Sequence, residues 1–293
     1  MIVRAPRSEK KNLLGRLNSG CFAVNFNRKP FVIDHQLSDH PLFDLGSLVE
    51  LSQQLPSDRV EYNSGELPVS PDPNLTPRNG LSPDETIRRI KDCKSWLVLK
   101  NVEEIPQYKA LLDDCLDEIQ SVTERMAPGM RRREGFIFVS SPGSVTPYHI
   151  DPENNFLLQI RGTKQVHMYD PMDREVLSEQ AIEDFFAGGH RNLEFNEAGH
   201  GRGSWFNLKP GQGLHFPVVA PHWVENGSQV SISFSITFQT DESMRRQTLH
   251  RFNRRLRKAG IRPSPVGFNP RIDATKYFLL NSLRKARPWA RNS

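Results

Sequence analysis

From Gly135 to Thr240 the chain is a succession of short β-type runs broken by Gly, Pro and Asn, and this limits its fold more than any other feature. The runs are "GFIFVSS", "NFLLQI", "KQVHMYD", "SWFNLKP", "GLHFPVV" and "VSISFSITF". Many short strands with turn residues between them predict an all-β sandwich or barrel. One insertion, "EVLSEQAIEDFF" at 175–186, reads as a helix.

The flanks read differently. "CFAVNFNRKPFVIDHQL" suggests strands around Phe22–Phe26 and Phe31–Asp34. "LFDLGSLVELSQQL" spaces Leu48, Leu51 and Leu55 as a helix does. The Pro-, Asn- and Ser-rich stretch 67–85 predicts an irregular loop. It runs into a helix start, with Ser82 as N-cap, Pro83 at the first position and Glu85 closing a capping box. "SWLVLKNV" reads as a strand, and "IPQYKALLDDCLDEIQSVTERM" as a helix with a stripe of Leu111, Leu112, Cys115, Leu116, Ile119 and Val122. After Thr240, Leu249, Phe252 and Leu256 line one helix that Gly260 would cap, and Tyr277, Leu280 and Leu283 line another. This divides the chain into an α/β region over 1–130, a barrel over 131–240 and a helical region over 241–293.

Charge follows the same division. The net charge is +5, yet the segment from Asp241 onward holds fourteen Lys/Arg against three Asp/Glu, which leaves the body mildly acidic. A basic tail suits nucleic acid or an acidic partner, or a helix face packed on the acidic body. No apolar run approaches membrane-spanning length, so no membrane partner is expected, and the basic start of the chain lacks the apolar core of a secretory signal. Cys21, Cys93 and Cys115 are far apart and in no metal-ligand spacing, which fits a reduced, cytoplasmic setting.

The chemistry concentrates in "TPYHIDPENNFLLQIRGTK", residues 146–164. In a strand, residues two apart share a face, so His149 and Asp151 project together if Ile150 points into a core. A third ligand is offered by His222 in "PGQGLHFPVVAPHWVEN". Two His and one carboxylate form a facial triad that suits non-haem Fe(II) oxygenases. His215, seven residues before His222, lies within its strand and ranks below it. The Arg131–Arg133 cluster reads as a solvated strand entrance, with substrate contact as the alternative. Lys164 is a charge among apolar neighbours, a placement that calls for a partner.

"SVTPYHIDPENNFLLQIRGTKQVHMYDP" with "PGQGLHFPVVAPHWVENGSQVSISFSITF" resembles the JmjC, or cupin-like, Fe(II)- and 2-oxoglutarate-dependent oxygenases, and is most similar to the asparaginyl hydroxylase acting on hypoxia-inducible factor. The similarity covers about residues 135–240. It implies a mainly β chain: a double-stranded β-helix (cupin, jelly-roll) core with an N-terminal α/β region and C-terminal helices. It also implies Fe(II) on His149, Asp151 and His222, and O2 as co-reactant. Lys164 and Thr146 would hold the distal carboxylate of 2-oxoglutarate, and Asn155 its other end. Many relatives carry an Asn on the last core strand, where this chain offers Ser235. The activity implied is hydroxylation of a protein, peptide or small-molecule substrate, or demethylation through hydroxylation, with release of succinate and CO2. Related hydroxylases dimerise through helices after the barrel, and Leu249, Phe252, Leu256, Phe278 and Leu280 could form that surface. Two other readings stay open: a non-catalytic cupin-like regulator binding a ligand or nucleic acid through its basic region, and a metalloenzyme without 2-oxoglutarate.

Overall fold

The β-type runs assemble into two antiparallel sheets in a computed structural model that describes residues 12–64, 68–69, 79–195 and 201–285. In chain order the first strands are β1 (Phe31–Asp34), β2 (Val60–Ser64), β3 (Ser95–Lys100), β4 (Arg131–Ser140), β5 (Val145–His149) and β6 (Asn154–Arg161). They are followed by β7 (Lys164–Met168), β8 (Ser204–Leu208), β9 (Gln212–Phe216), β10 (His222–Asn226) and β11 (Ser231–Gln239). One sheet has seven strands in the order β1-β9-β6-β11-β4-β3-β2, and the other has four in the order β5-β10-β7-β8. Leu157, Leu214 and Phe216 of the larger sheet pack with Val166, Met168, Leu208 and Val224 of the smaller, so the two sheets face each other across a shared core. This is a mainly β architecture of two facing sheets, as the succession of short strands predicted.

Strand β11 shows how side chains are sorted. Ile232, Phe234, Ile236 and Phe238 join the main apolar cluster, which also holds helix residues such as Leu112 and Leu116. Ser233, Ser235 and Thr237 take the opposite face, toward the barrel interior, because successive residues of a strand alternate. The N-terminal strands share this sheet: Phe31 of β1 pairs with His215 of β9, and Val98 of β3 with Phe138 of β4.

The expected strand over Phe22–Phe26 is instead a helix, α1 (Ser19–Asn25). Asn18 caps it, its side-chain oxygen accepting from the Gly20 and Cys21 amides at 3.0 and 3.1 Å. Four-residue spacing puts Phe22 and Phe26 on one face, both stacked toward Phe156. The remaining helices are α2 (Leu45–Gln54), α3 (Pro83–Arg88), α4 (Pro106–Thr123), α5 (Glu179–Phe186), α6 (Asp241–Lys258) and α7 (Pro270–Lys285). Ser82 caps α3 by accepting from the Glu85 amide at 3.4 Å, and its hydroxyl donates to Asp84 at 2.6 Å. Gly260, at φ +80°, follows the C-cap Ala259 of α6 in the left-handed conformation expected of a helix terminator. Part of the 67–85 loop and the Leu283 side chain fall outside the described residues.

The basic C-terminal region turns its α6 arginines onto α5. Arg257 makes two bonds to the Glu183 carboxylate at 2.7 and 3.0 Å, Arg254 pairs with Asp184, and Arg251 donates to the Phe186 carbonyl. These cations pack on an acidic helix of the body. Arg133 is likewise taken up by Asp113, Asp117 and Gln120 of α4, and Arg131 by Asp241. Cys21, Cys93 and Cys115 are free thiols, and no helix among the described residues is long and apolar enough to cross a membrane.

Candidate metal centre and its cavity

The two imidazoles are cross-strand neighbours. Antiparallel pairing of β5 with β10 sets His149 opposite His222, with ring centroids 4.1 Å apart. Each ring is fixed by a short local bond: His149 Nδ1–H donates to the Pro147 carbonyl at 2.6 Å, and His222 Nδ1–H to the Ala220 carbonyl at 2.9 Å. Both rings thereby turn Nε2 to Asp151, at 3.7 Å from Oδ2 in each case. Ile150 is buried with Leu177, Ile182 and Phe186, so Asp151, just past the end of β5, points back to the side of His149.

The donor set suits a divalent ion. The three ligand atoms lie within 4.8 Å of one another, a spacing compatible with bonds of about 2.1 Å to a shared centre. Burial drives the His149 and His222 pKa values down, that of His222 to about 3, so both rings stay neutral and keep a lone pair at Nε2. Burial opposes ionisation of Asp151, but Arg191 and the two imidazoles outweigh it and hold the carboxyl well below the usual range. Neutral imidazole and ionised carboxylate are the forms a metal requires.

The triad opens onto a cavity of about 400 Å³. Thr146, Asn155 and Ser235 line it, and Ser235 Oγ donates to Asn155 Oδ1 at 2.7 Å. Lys164 is 6% exposed at the start of β7, on the same side of that strand as the core residues Val166 and Met168. Burial lowers its pKa to about 7, and among the described residues it makes no ion pair. His215 lies apart from the triad, stacked on Phe26 at 4.9 Å, with Nδ1–H donating to the Asn155 carbonyl.

Several cavity residues carry no sequence signal of their own. Residues 191–193 run beside the end of β5, the Ile150 amide donating to the Arg191 carbonyl and the Leu193 amide to the Tyr148 carbonyl. This brings the Arg191 guanidinium to 3.6 Å from Asp151 Oδ1. Trp96, Val98 and Lys100 of β3 form another part of the wall, and Thr237 sits beside Ser235. Glu153 is only partly covered, but desolvation of its carboxyl in the cavity, with Asp151 and Glu134 nearby, raises its pKa to about 8.

The sequence profile described as "Cupin-like domain" matches residues 23–259, most of the chain. The chain belongs to the cupin-like family. Among curated proteins, this cupin-like chain is 27% identical over 146 residues to HSPB1-associated protein 1 of Rattus norvegicus, covering 46% of the chain and 30% of the relative. It is 28% identical over 145 residues to lysine-specific demethylase 8 of Xenopus tropicalis, with the same coverage. The chain thus spans less than a third of these relatives. Among solved structures, YcfD of Escherichia coli superposes with a TM-score of 0.49 at 13% identity, covering 93% of this chain and 68% of that one. A second YcfD structure, described as a ribosomal oxygenase in complex with cobalt and 2-oxoglutarate, gives 0.48 at 15% identity, covering 94% and 68%.

Proposed function

We propose that the chain is an Fe(II)- and 2-oxoglutarate-dependent oxygenase that hydroxylates a side chain of a protein or peptide, or demethylates one through hydroxylation. The observation that carries this reading is the convergence of His149, Asp151 and His222 beside a cavity, lined by His149 and Asp151, that is large enough for cosubstrate and a side chain. Iron, when bound there, supplies oxidation of a C–H bond by O2, coupled to conversion of 2-oxoglutarate to succinate and CO2. The chain's own part is to hold and to position. Pro147 and Ala220 fix the tautomers of the two ligand histidines. Ser235 donates to Asn155 Oδ1 and so fixes the Asn155 amide, whose NH2 can donate to a carboxylate beside the triad. Trp96, Phe136 and Phe138 give the cavity an apolar wall that excludes water from the substrate carbon.

In this account Lys164 is the cation for the distal carboxylate of 2-oxoglutarate, with Thr146. Its burial without an anion supports that role, since an arriving carboxylate would offset the desolvation that lowers its pKa. Lys164→Ala is expected to weaken 2-oxoglutarate binding at least about tenfold while metal binding persists. A metalloenzyme independent of 2-oxoglutarate would be indifferent to the change. The relative named lysine-specific demethylase 8 fits the same reaction class. The activity test is succinate formation from 2-oxoglutarate with Fe(II) and ascorbate. Absence of succinate, together with absence of 2-oxoglutarate binding by calorimetry, would reject the proposal.

The cellular setting we propose is the cytoplasm, supported by three free thiols. We also propose a homodimer through the C-terminal helices. Of the residues expected there, Leu249 and Leu280 are buried within the chain, and Phe278 is 71% exposed beside exposed Leu279 and Ile272. A single monomeric species in light scattering at micromolar concentration would refute it. The alternative, a non-catalytic regulator, predicts salt-dependent nucleic-acid binding that His149→Ala leaves unchanged.

A further inference from the structure

A second cavity, of about 490 Å³, lies on the other side of the loop that leads into β10. Val218 and Val219 of that loop form part of its wall, and the Val219 amide donates to the Asp151 carbonyl at 2.9 Å. The loop therefore separates this cavity from the triad. Val219 has φ +56°, a conformation that is strained for a β-branched residue, and the neighbouring Val218 amide is held by Asn27 Oδ1. The wall is thus fixed from both sides.

The lining combines an apolar floor with a basic rim. Phe26, Ile182 and Phe186 provide ring and aliphatic surface. The charged groups around it are Arg28, Arg174, Arg246 and Glu242. Arg174 is engaged by Glu179 at 2.6 Å, and Glu242 by Arg245 at 3.6 Å. Arg28 and Arg246 have no ion-pair partner among the described residues. The rim therefore carries uncompensated positive charge.

His250 gives an independent sign of a ligand. It lines the same cavity, is only 7% exposed, and stacks on Phe186 at 5.4 Å, yet its Nδ1 has no hydrogen-bond partner. A buried polar atom without a partner is costly, and such atoms are few in native proteins. Burial and the nearby Arg246 and Arg174 keep the ring neutral, and as the Nδ1–H tautomer it has that N–H to give to an acceptor.

We propose that this cavity is a binding site for a small carboxylate with an apolar body, separate from the metal centre. The carboxylate meets Arg28, Arg246 and the His250 N–H, and the apolar body lies against Phe26, Ile182 and Phe186. Arginine suits such a partner because its planar fork matches a carboxylate. The volume falls within the range of small-molecule pockets.

The test is a calorimetric titration of the metal-free full chain with octanoate and phenylacetate, and with their uncharged amides. The expected result is saturable binding of at least one carboxylate, weaker by about tenfold or more for its amide and in an Arg28→Glu/Arg246→Glu variant. Both arginines are exposed, so the variant should retain the wild-type melting temperature. His149→Ala should bind the carboxylate as wild type does. The proposal is overturned if neither carboxylate saturates, if the amide binds equally well, if the arginine variant is unaffected, or if His149→Ala abolishes binding.

Discussion

The two sheets of the barrel differ in what lies behind them. The seven-stranded sheet is covered on its outer face: Phe234, Ile236 and Phe238 pack into the large apolar cluster with the helices. The four-stranded sheet is a thin wall. Its outer face carries Gln165 bonded to Asn207, and His167 stacked on Trp223 at 3.5 Å and on Trp205, which is 60% exposed. Yet the thin wall supplies both histidines of the triad. Their aim is set by backbone carbonyls two residues away and by cross-strand pairing, rather than by packing from outside. Stability is therefore concentrated in one sheet and the candidate metal chemistry in the other.

That division can be broken by mutation. Phe234→Ala should cost about 3–5 kcal/mol in denaturant unfolding, because a fully buried ring leaves a cavity in the covered sheet. A cost as small as that of a surface change would show that the helices do not brace this sheet.

Acidification of the metal-free protein should cost almost as much, and it acts on both sides of the division, since His222 of the thin wall is lowered as far as His215 of the covered sheet. Burial lowers His215 and His250 to about 3 in the folded chain, against 6.5 unfolded. The unfolded chain then binds more protons below pH 6.5, so stability falls as pH drops through that value and levels off only below about 3. At about pH 5 each histidine should contribute up to about 2 kcal/mol of destabilisation. Chemical denaturation of the metal-free protein at several pH values checks this, and flat stability from neutral pH down to about pH 5 would contradict it.

Gly162 tests the joint between the sheets, since it turns β6 of one into β7 of the other. It has φ +69°, and a Cβ there would collide with the Val230 carbonyl oxygen. Gly162→Ala should therefore cost about 2 kcal/mol or more. The smallest effect belongs to the thin wall: Gln165→Ala, which removes an exposed hydrogen bond to Asn207 on its outer face, should cost no more than about 1 kcal/mol and leave metal affinity unchanged.

What could be read from the sequence follows how local each signal is. The barrel strands were legible because alternation is a property of a few consecutive residues. His149 and Asp151 were legible for the same reason, and His222 because its turn residues bracket a strand. Phe22–Phe26 misled because aromatic residues four apart satisfy both alternation and one helical face, and the Asn18 cap decided for helix. The N-terminal contribution to the large sheet was not legible, since β1 pairs with β9 across most of the chain. Arg191 was hidden for a similar reason: only the pairing of 191–193 with the end of β5 brings it to Asp151. Lys164 stood out by its apolar neighbours, and its burial on β7 beside core residues explains that.

The central claim is that His149, Asp151 and His222 together hold a divalent metal to which 2-oxoglutarate binds. The most direct measurement is Co(II) titration of wild type and of Asp151→Asn, followed by visible absorption before and after addition of 2-oxoglutarate. The account predicts one tight Co(II) site whose absorption bands shift when 2-oxoglutarate is added, and a loss of affinity of at least about a hundredfold in Asp151→Asn. Equal affinity in the two proteins, or bands indifferent to 2-oxoglutarate, would contradict it.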